Sequence, residues 1–440
     1  MASARTTLLL LLLLSACSRS QPATVTFIED DYPRALAEAA HKKQPLFVDV
    51  WASWCHTCVS MKQYVLPDPA LQPLAGSYVW LSIDSERRSN AQFLERFVSK
   101  SLPTLWVIDP ENQLPVLKWI GAATAPELRG VLEDVLSERT AQPSAADPNA
   151  AEANAAWLRA QRASASGDAA QAIELYRRAL AGAPSGWPRR PRALEALSMR
   201  LAETDHDAEC VALAAQNAAG MPAGTARLNL VLNGIDAAQE LPADAPERAA
   251  LPELLRLGTR IAEEPGESVL LDDRSSLFLS LVAALEASPE SARLAKVWSD
   301  QLDAAATRAS TPAQRRVWDA HRVEAYLALG APERAIPMLE QSERELPTDY
   351  NPPARLARVY LKLARLPEAR AAIERALPRS EGPRKLRLYM LQADILLAAQ
   401  DKPAARAALE AALDFARRSQ LPAQYDKLQK TIERRVQDLS

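Results

Sequence analysis

The sequence predicts two fold classes in one chain: an α/β sandwich over residues 24–139 and an all-α solenoid of tandem helical repeats over 156–440. Three observations carry this expectation. Short apolar β-rich runs alternate with helical stretches only as far as about residue 140. A polar, alanine-rich segment with two prolines, residues 140–155, reads as a linker. Beyond it the patterning is helical throughout and recurs with a period near 34 residues.

In the first part, "PLFVDVWA" and "YVWLSID" read as strands covered on both faces, because apolar and β-branched residues run on without polar alternation. "LPTLWVID" and "LPVLKWIG" read as two more, separated by the turn-forming "PENQ". Helices are expected in "YPRALAEAAHKKQ", after the cysteine pair, in "SNAQFLERFVSK" and in "APELRGVLEDVLSER". In the second part, Ala172, Tyr176, Ala179 and Pro184 stand at the spacing of the second helix of a tetratricopeptide repeat. Tyr326 and Tyr360 are 34 residues apart, as are Ala335 and Ala369, and Ser342 and Ala376. Ala405 comes 36 residues after Ala369, with Leu409 and Ala412 behind it. Small residues at such places let antiparallel helices approach, while Tyr and Leu fill the gaps between them. The signature fades over 185–310, where degenerate helix pairs or an unrelated helical bundle are both open. Tandem helical repeats usually present a concave face, so a protein or peptide ligand is expected there.

Composition narrows the function. With 52 basic and 55 acidic side chains in 440 residues, the chain lacks the basic excess of a nucleic-acid-binding protein. The N-terminal "MASARTTLLLLLLLSACSRS" joins Arg5 to a seven-leucine run, Leu8–Leu14, too short to span a bilayer but suited to a signal segment. "LSAC" resembles the bacterial lipobox. That resemblance implies a signal peptide over 1–16, a lipidated Cys17 and a tether over 17–23, with Ser18 permitting outer-membrane sorting. An ordinary signal peptide is the alternative. Either way the remainder is expected in an exported, disulfide-permissive compartment.

Cys55 and Cys58, in "WASWCHTC", are two of four cysteines. Structural zinc needs four ligands, and the other cysteines and histidines 41, 206 and 321 lie far away in sequence. A disulfide closing so short a loop constrains little chain. Redox exchange is left, and a β-run leading into a helix suits it: Cys55 would stand at a helix N-terminus, where the dipole favours a thiolate. The lone Cys210 reads as a small packed hydrophobe, with a mixed disulfide as the alternative. Trp157, Trp187, Trp298 and Trp318 read as helix packing, and "RRPR" at 189–192 as a solvated face.

Over residues 24–139 the sequence resembles the thioredoxin superfamily, and within it the C-terminal periplasmic domain of DsbD-type reductases, through "FVDVWASWCHTC", "KSLPTLWVID" and Asp68-Pro69. The resemblance implies that Cys55 is the nucleophile, Cys58 the resolving thiol and Asp49 the buried acid assisting it. It also implies that Leu102-Pro103-Thr104 is a cis-proline loop and that Gly121 is the glycine near the last strand. Substrate is then expected against Trp54, Leu102 and Pro103, with Trp54, His56 and Thr57 tuning the pair. His56 is either a thiolate-stabilising charge or a solvated loop residue. Asp49 is either a working base or a satisfied buried carboxylate. The lysine that thioredoxins place near that acid is missing from "YVWLSID", where Trp80 stands. The expected activity is dithiol–disulfide exchange on exported proteins, fed by a separate electron donor, with no cofactor or metal beyond the Cys55–Cys58 pair. The alternatives are a lipid-tethered interaction scaffold with a regulatory or vestigial redox head, and an oxidase or isomerase.

Overall fold

The computed structural model describes residues 25–99, 101–139, 147–264, 269–286, 288–421 and 425–439. The expected signal peptide, the lipidated Cys17 and its tether lie outside the described residues, as does 140–146 of the linker.

The head, residues 25–139, is a five-stranded sheet in the order β1-β3-β2-β4-β5. The strands are β1 (Phe27–Glu29), β2 (Leu46–Trp51), β3 (Val79–Asp84), β4 (Thr104–Ile108) and β5 (Pro115–Ile120). β3 pairs in parallel with β1 and β2, while β4 runs antiparallel to both β2 and β5. Only the three-residue β1 has no counterpart in the sequence expectation; "FIE" is too short for its periodicity to register.

Alternation along β2 sorts its side chains onto two faces. Leu46, Val48 and Val50 pack on α1 (Tyr32–Lys42) and on the neighbourhood of α3 (Ala91–Arg96), where Ala35, Ala39, Phe93 and Phe97 are buried. Phe47 faces the other way, with Trp80, Leu105 and Val107, onto α2 (His56–Ser60) and α4 (Ala125–Arg139). The opposite cluster does not end at the head. It continues through Trp119 into Ala156, Trp157 and Ala160 of the helix Pro148–Ser166, so head and repeats share one apolar core.

That helix corrects the linker reading: Asp147 caps it and proline occupies its first turn, so 148–155 are helical rather than connecting chain. The repeats then run as helix pairs to Asp438. Ala172, Tyr176, Ala179, Tyr326, Ala335, Ser342, Tyr360, Ala369, Ala376, Ala405, Leu409 and Ala412 are all buried, which is the packing their spacing predicts. Residues 190–308, where the signature fades, still form successive helices. "RRPR" is a solvated face only at Arg190, which is exposed. Arg192 pairs with Glu127 of α4 and lies 4.1 Å over the Trp119 ring, while Arg189 pairs with Asp134. Among the described residues no helix is long and apolar enough to cross a membrane.

Candidate functional site

β2 delivers the chain to the sheet edge, where Ala52–Cys55 turns into α2. Cys55 is the N-cap: its sulfur accepts the Cys58 backbone N–H at 3.1 Å. The two cysteines form a disulfide. Cys55 is 5% exposed and Cys58 fully buried, packed with Ala52, Trp51, Trp54 and Leu102. After Ser60 the helix widens into a π-type turn over Met61–Val65, a distortion that frequently marks functional sites.

Leu102–Pro103 is a cis peptide, in the segment the sequence resemblance marks as a cis-proline loop. The Pro103 carbonyl accepts the Gly121 N–H at 3.0 Å, and Gly121 sits at φ +89°, which a side chain would strain. Leu102 thereby reaches the cysteine pair from the β4 side.

Asp49 is fully buried, on the same face of β2 as Phe47 and Trp51. Neither carboxylate oxygen has a hydrogen-bond partner among the described residues. Burial pushes its pKa up to about 6 against the pull of Lys62. β3 holds no lysine, and Lys62 stands beside Asp49 instead. It comes from the π-turn rather than from β3, places Nζ 3.5 Å from Asp49, donates to Ser82 Oγ at 2.7 Å and crosses the Trp51 ring at 4.4 Å. Trp80 is not opposite Asp49; Ser82 is. Spacing could have shown this, since Cys58 and Lys62 are one helical turn apart and share a face.

The residues around the pair are half-buried against the repeats. His56 meets the repeats: its Nδ1 donates to Oδ1 of Asp272 at 2.9 Å, and Nε2 of His321 donates to the same oxygen at 2.8 Å. Asp272 is completely buried in the helix Leu271–Ala284. Burial works to raise its pKa, but His56 and then His321 outweigh it and hold the carboxyl well below the usual range. His321 is pushed down to about 4, first by its burial. Thr57 Oγ1 lies 3.1 Å from His56 Nδ1. His56 is thus an anchored residue and not a solvated loop side chain.

His56, Asp272 and His321 are also the described residues that come nearest to a metal site, with ligand atoms within 4.8 Å of one another. Their rings, however, lie 3.8 Å apart between centroids. Two imidazoles converging on one ion through bonds of about 2.0–2.1 Å would hold their centroids roughly 4.5 Å apart or more. The arrangement is that of a hydrogen-bonded carboxylate between two imidazoles.

Four further contacts lie on the same face. Trp54 donates its indole N–H to Glu86 at 3.1 Å and carries the Arg384 guanidinium over its ring at 4.7 Å. Asn351 donates to Ser53 Oγ at 3.2 Å, and Tyr64 stacks on Trp318. Burial raises Glu86 to about 7. Cys210 is buried in the repeats, its thiol pushed up to about 12 by burial, as suits a packed residue.

Residues 27–110 match a family model described as thioredoxin-like. The head is a thioredoxin-like domain. Residues 326–384 match a tetratricopeptide repeat model. The thiol:disulfide interchange protein DsbD of Pseudoalteromonas atlantica is 32% identical over 86 residues, covering 19% of this chain and 14% of that protein. That of Cronobacter sakazakii is 33% identical over 100 residues, covering 22% and 17%. The match therefore spans under a fifth of either relative's length. A tetratricopeptide repeat protein from Parabacteroides merdae superposes with a TM-score of 0.43 at 15% identity, covering 66% of this chain and 98% of its own.

Proposed function

We propose that the protein is a thiol–disulfide oxidoreductase of the bacterial envelope, tethered through a lipidated Cys17, whose repeats bind partner proteins. The observation that carries the chemistry is the Cys55–Cys58 disulfide at a helix N-terminus, with the buried Asp49 paired to Lys62, one helical turn after Cys58. In the reduced enzyme the Cys55 thiolate attacks a substrate disulfide, making a Cys55–substrate bond and expelling one substrate thiolate, which takes a proton. Cys58, losing its proton to Asp49, attacks Cys55 and expels the second substrate thiolate. Two electrons leave the enzyme, which ends as the disulfide seen here. A dithiol donor must return them. Leu102 and Pro103 order the substrate segment, and Trp54, His56 and Thr57 tune the pair.

Insulin reduction by the whole chain, fed by a dithiol, is expected and should vanish in Cys55→Ser. A Cys55–Cys58 potential near about −270 mV places the protein among reductants, and one near about −120 mV among oxidants; we favour the first. The near-complete burial of Cys55 favours a second reading, a tethered scaffold with a regulatory redox head. Partner binding that survives Cys55→Ser, without any insulin reduction in wild type, would select it.

A further inference from the structure

Next to the disulfide lies a cleft of about 670 Å³ whose walls come from the two parts of the chain. Trp54 and Leu102 form the head side, and both pack on the cysteines. Arg384 and Arg387, at the start of the helix Arg384–Ala398, and Lys427, in the helix Asp426–Asp438, line the repeat side. The three cations are poorly compensated. Glu86 is the lining carboxylate, and its oxygens are occupied by the Trp54 indole N–H and the Arg384 backbone N–H. With its pKa near 7, much of it is protonated at neutral pH. Arg387 and Lys427 have no ion-pair partner among the described residues, and Arg387 repels Arg384. Elsewhere in the repeats, arginines are paired across helices: Arg358 with Glu324, Arg375 with Glu343, Arg435 with Asp394. Cations left unpaired in a concave, partly apolar site focus a positive potential and attract anions.

We propose that this cleft binds an extended acidic segment of a partner protein, flanking the cysteine whose disulfide is exchanged. The proposal rests on the oxidoreductase reading above and adds the substrate's charge to it. The apolar side chains next to the pair take the residues nearest the cysteine. The Arg387 and Lys427 side take the carboxylates. No other lining group on that wall could answer them with negative charge.

The test uses the full chain, a dithiol donor and three disulfide-bridged peptides with one common cysteine and acidic, neutral or basic flanks. The acidic peptide should be reduced with a kcat/KM about tenfold above the neutral one at low salt, the advantage shrinking as ionic strength rises. In the double variant Arg387→Glu, Lys427→Glu the order should invert, the basic peptide becoming the best. Equal rates for the three peptides, or an order unchanged by the charge reversal, would overturn the proposal while leaving the oxidoreductase reading intact. Failure to reduce any peptide overturns both. If the reversal unfolds the chain, Arg387→Gln with Lys427→Gln serves instead and must erase the preference. Loss of binding to anionic phospholipid vesicles in that variant, without any peptide preference in wild type, would assign the cleft to lipid headgroups and sink the proposal.

Discussion

The head meets the repeats along two seams of opposite character. On the α4 and β5 side, Trp119, Trp157 and their neighbours form a continuous apolar core, with Arg192 and Arg189 laid over the indoles and paired to Glu127 and Asp134. Around the cysteines the second seam is more polar, joining His56 to Asp272, Ser53 to Asn351 and Glu86 to Arg384, with Tyr64 stacked on Trp318 and Trp54 packed on an apolar cluster of the repeats beside them. Burying indoles stabilises without direction and resists local opening. The hydrogen bonds of the second seam contribute less, about 0.5–1.5 kcal/mol each net, rising to about 1.5–3 kcal/mol where a charged group takes part, as Asp272 does. The first seam is therefore the stronger tie between the two parts.

The largest expected effect comes from attacking the apolar seam. Trp119→Ala should cost about 3–5 kcal/mol, read from the urea midpoint, and should loosen both parts together. If only the head is destabilised, the shared core is not a structural unit. Within the head, Asp49→Asn should stabilise at pH 8 by about 2–3 kcal/mol, because a folded-state pKa raised to about 6 gives stability that is present at low pH and lost as pH rises through 6. The gap should close near pH 4, and the variant should release mixed disulfides more slowly. A pH-independent difference would remove Asp49 from the titration.

At the polar seam, Asp272→Asn should cost about 1–3 kcal/mol. It should also speed alkylation of reduced Cys55 severalfold by freeing His56; unchanged alkylation would mean that the His56 anchor does not control access. The smallest effect is expected for Glu86→Gln. Its pKa near 7 makes the wild-type seam weaken as pH rises through 7, and the glutamine should flatten that dependence by about 1 kcal/mol between pH 6 and 8.

Local signals were legible in the sequence and long-range ones were not. A strand running into Cys55, a helix after it, and the Leu102-Pro103 loop all declare themselves within short windows. The repeat positions do so through their period. Lys62 was legible in principle, since one helical turn relates it to Cys58. Asp272 was not: it lies 216 residues from His56 with no motif around it, and only folding brings the two within 2.9 Å. Arg192 misled for a related reason. A cluster of arginines signals solvent unless aromatic rings and carboxylates from another element happen to meet it.

The polar seam also has an order of assembly. The redox pair is made early in synthesis, whereas Asp272, His321, Asn351 and Arg384 emerge much later, the last of them next to Gly382, where even a methyl group would overlap the Glu86 backbone. Until those later residues are made, the head can fold with its cysteines uncovered. The cover arrives only with the repeats, so a chain truncated before residue 272 would carry an unguarded disulfide, and one truncated before 384 would lose the Arg384 part of it.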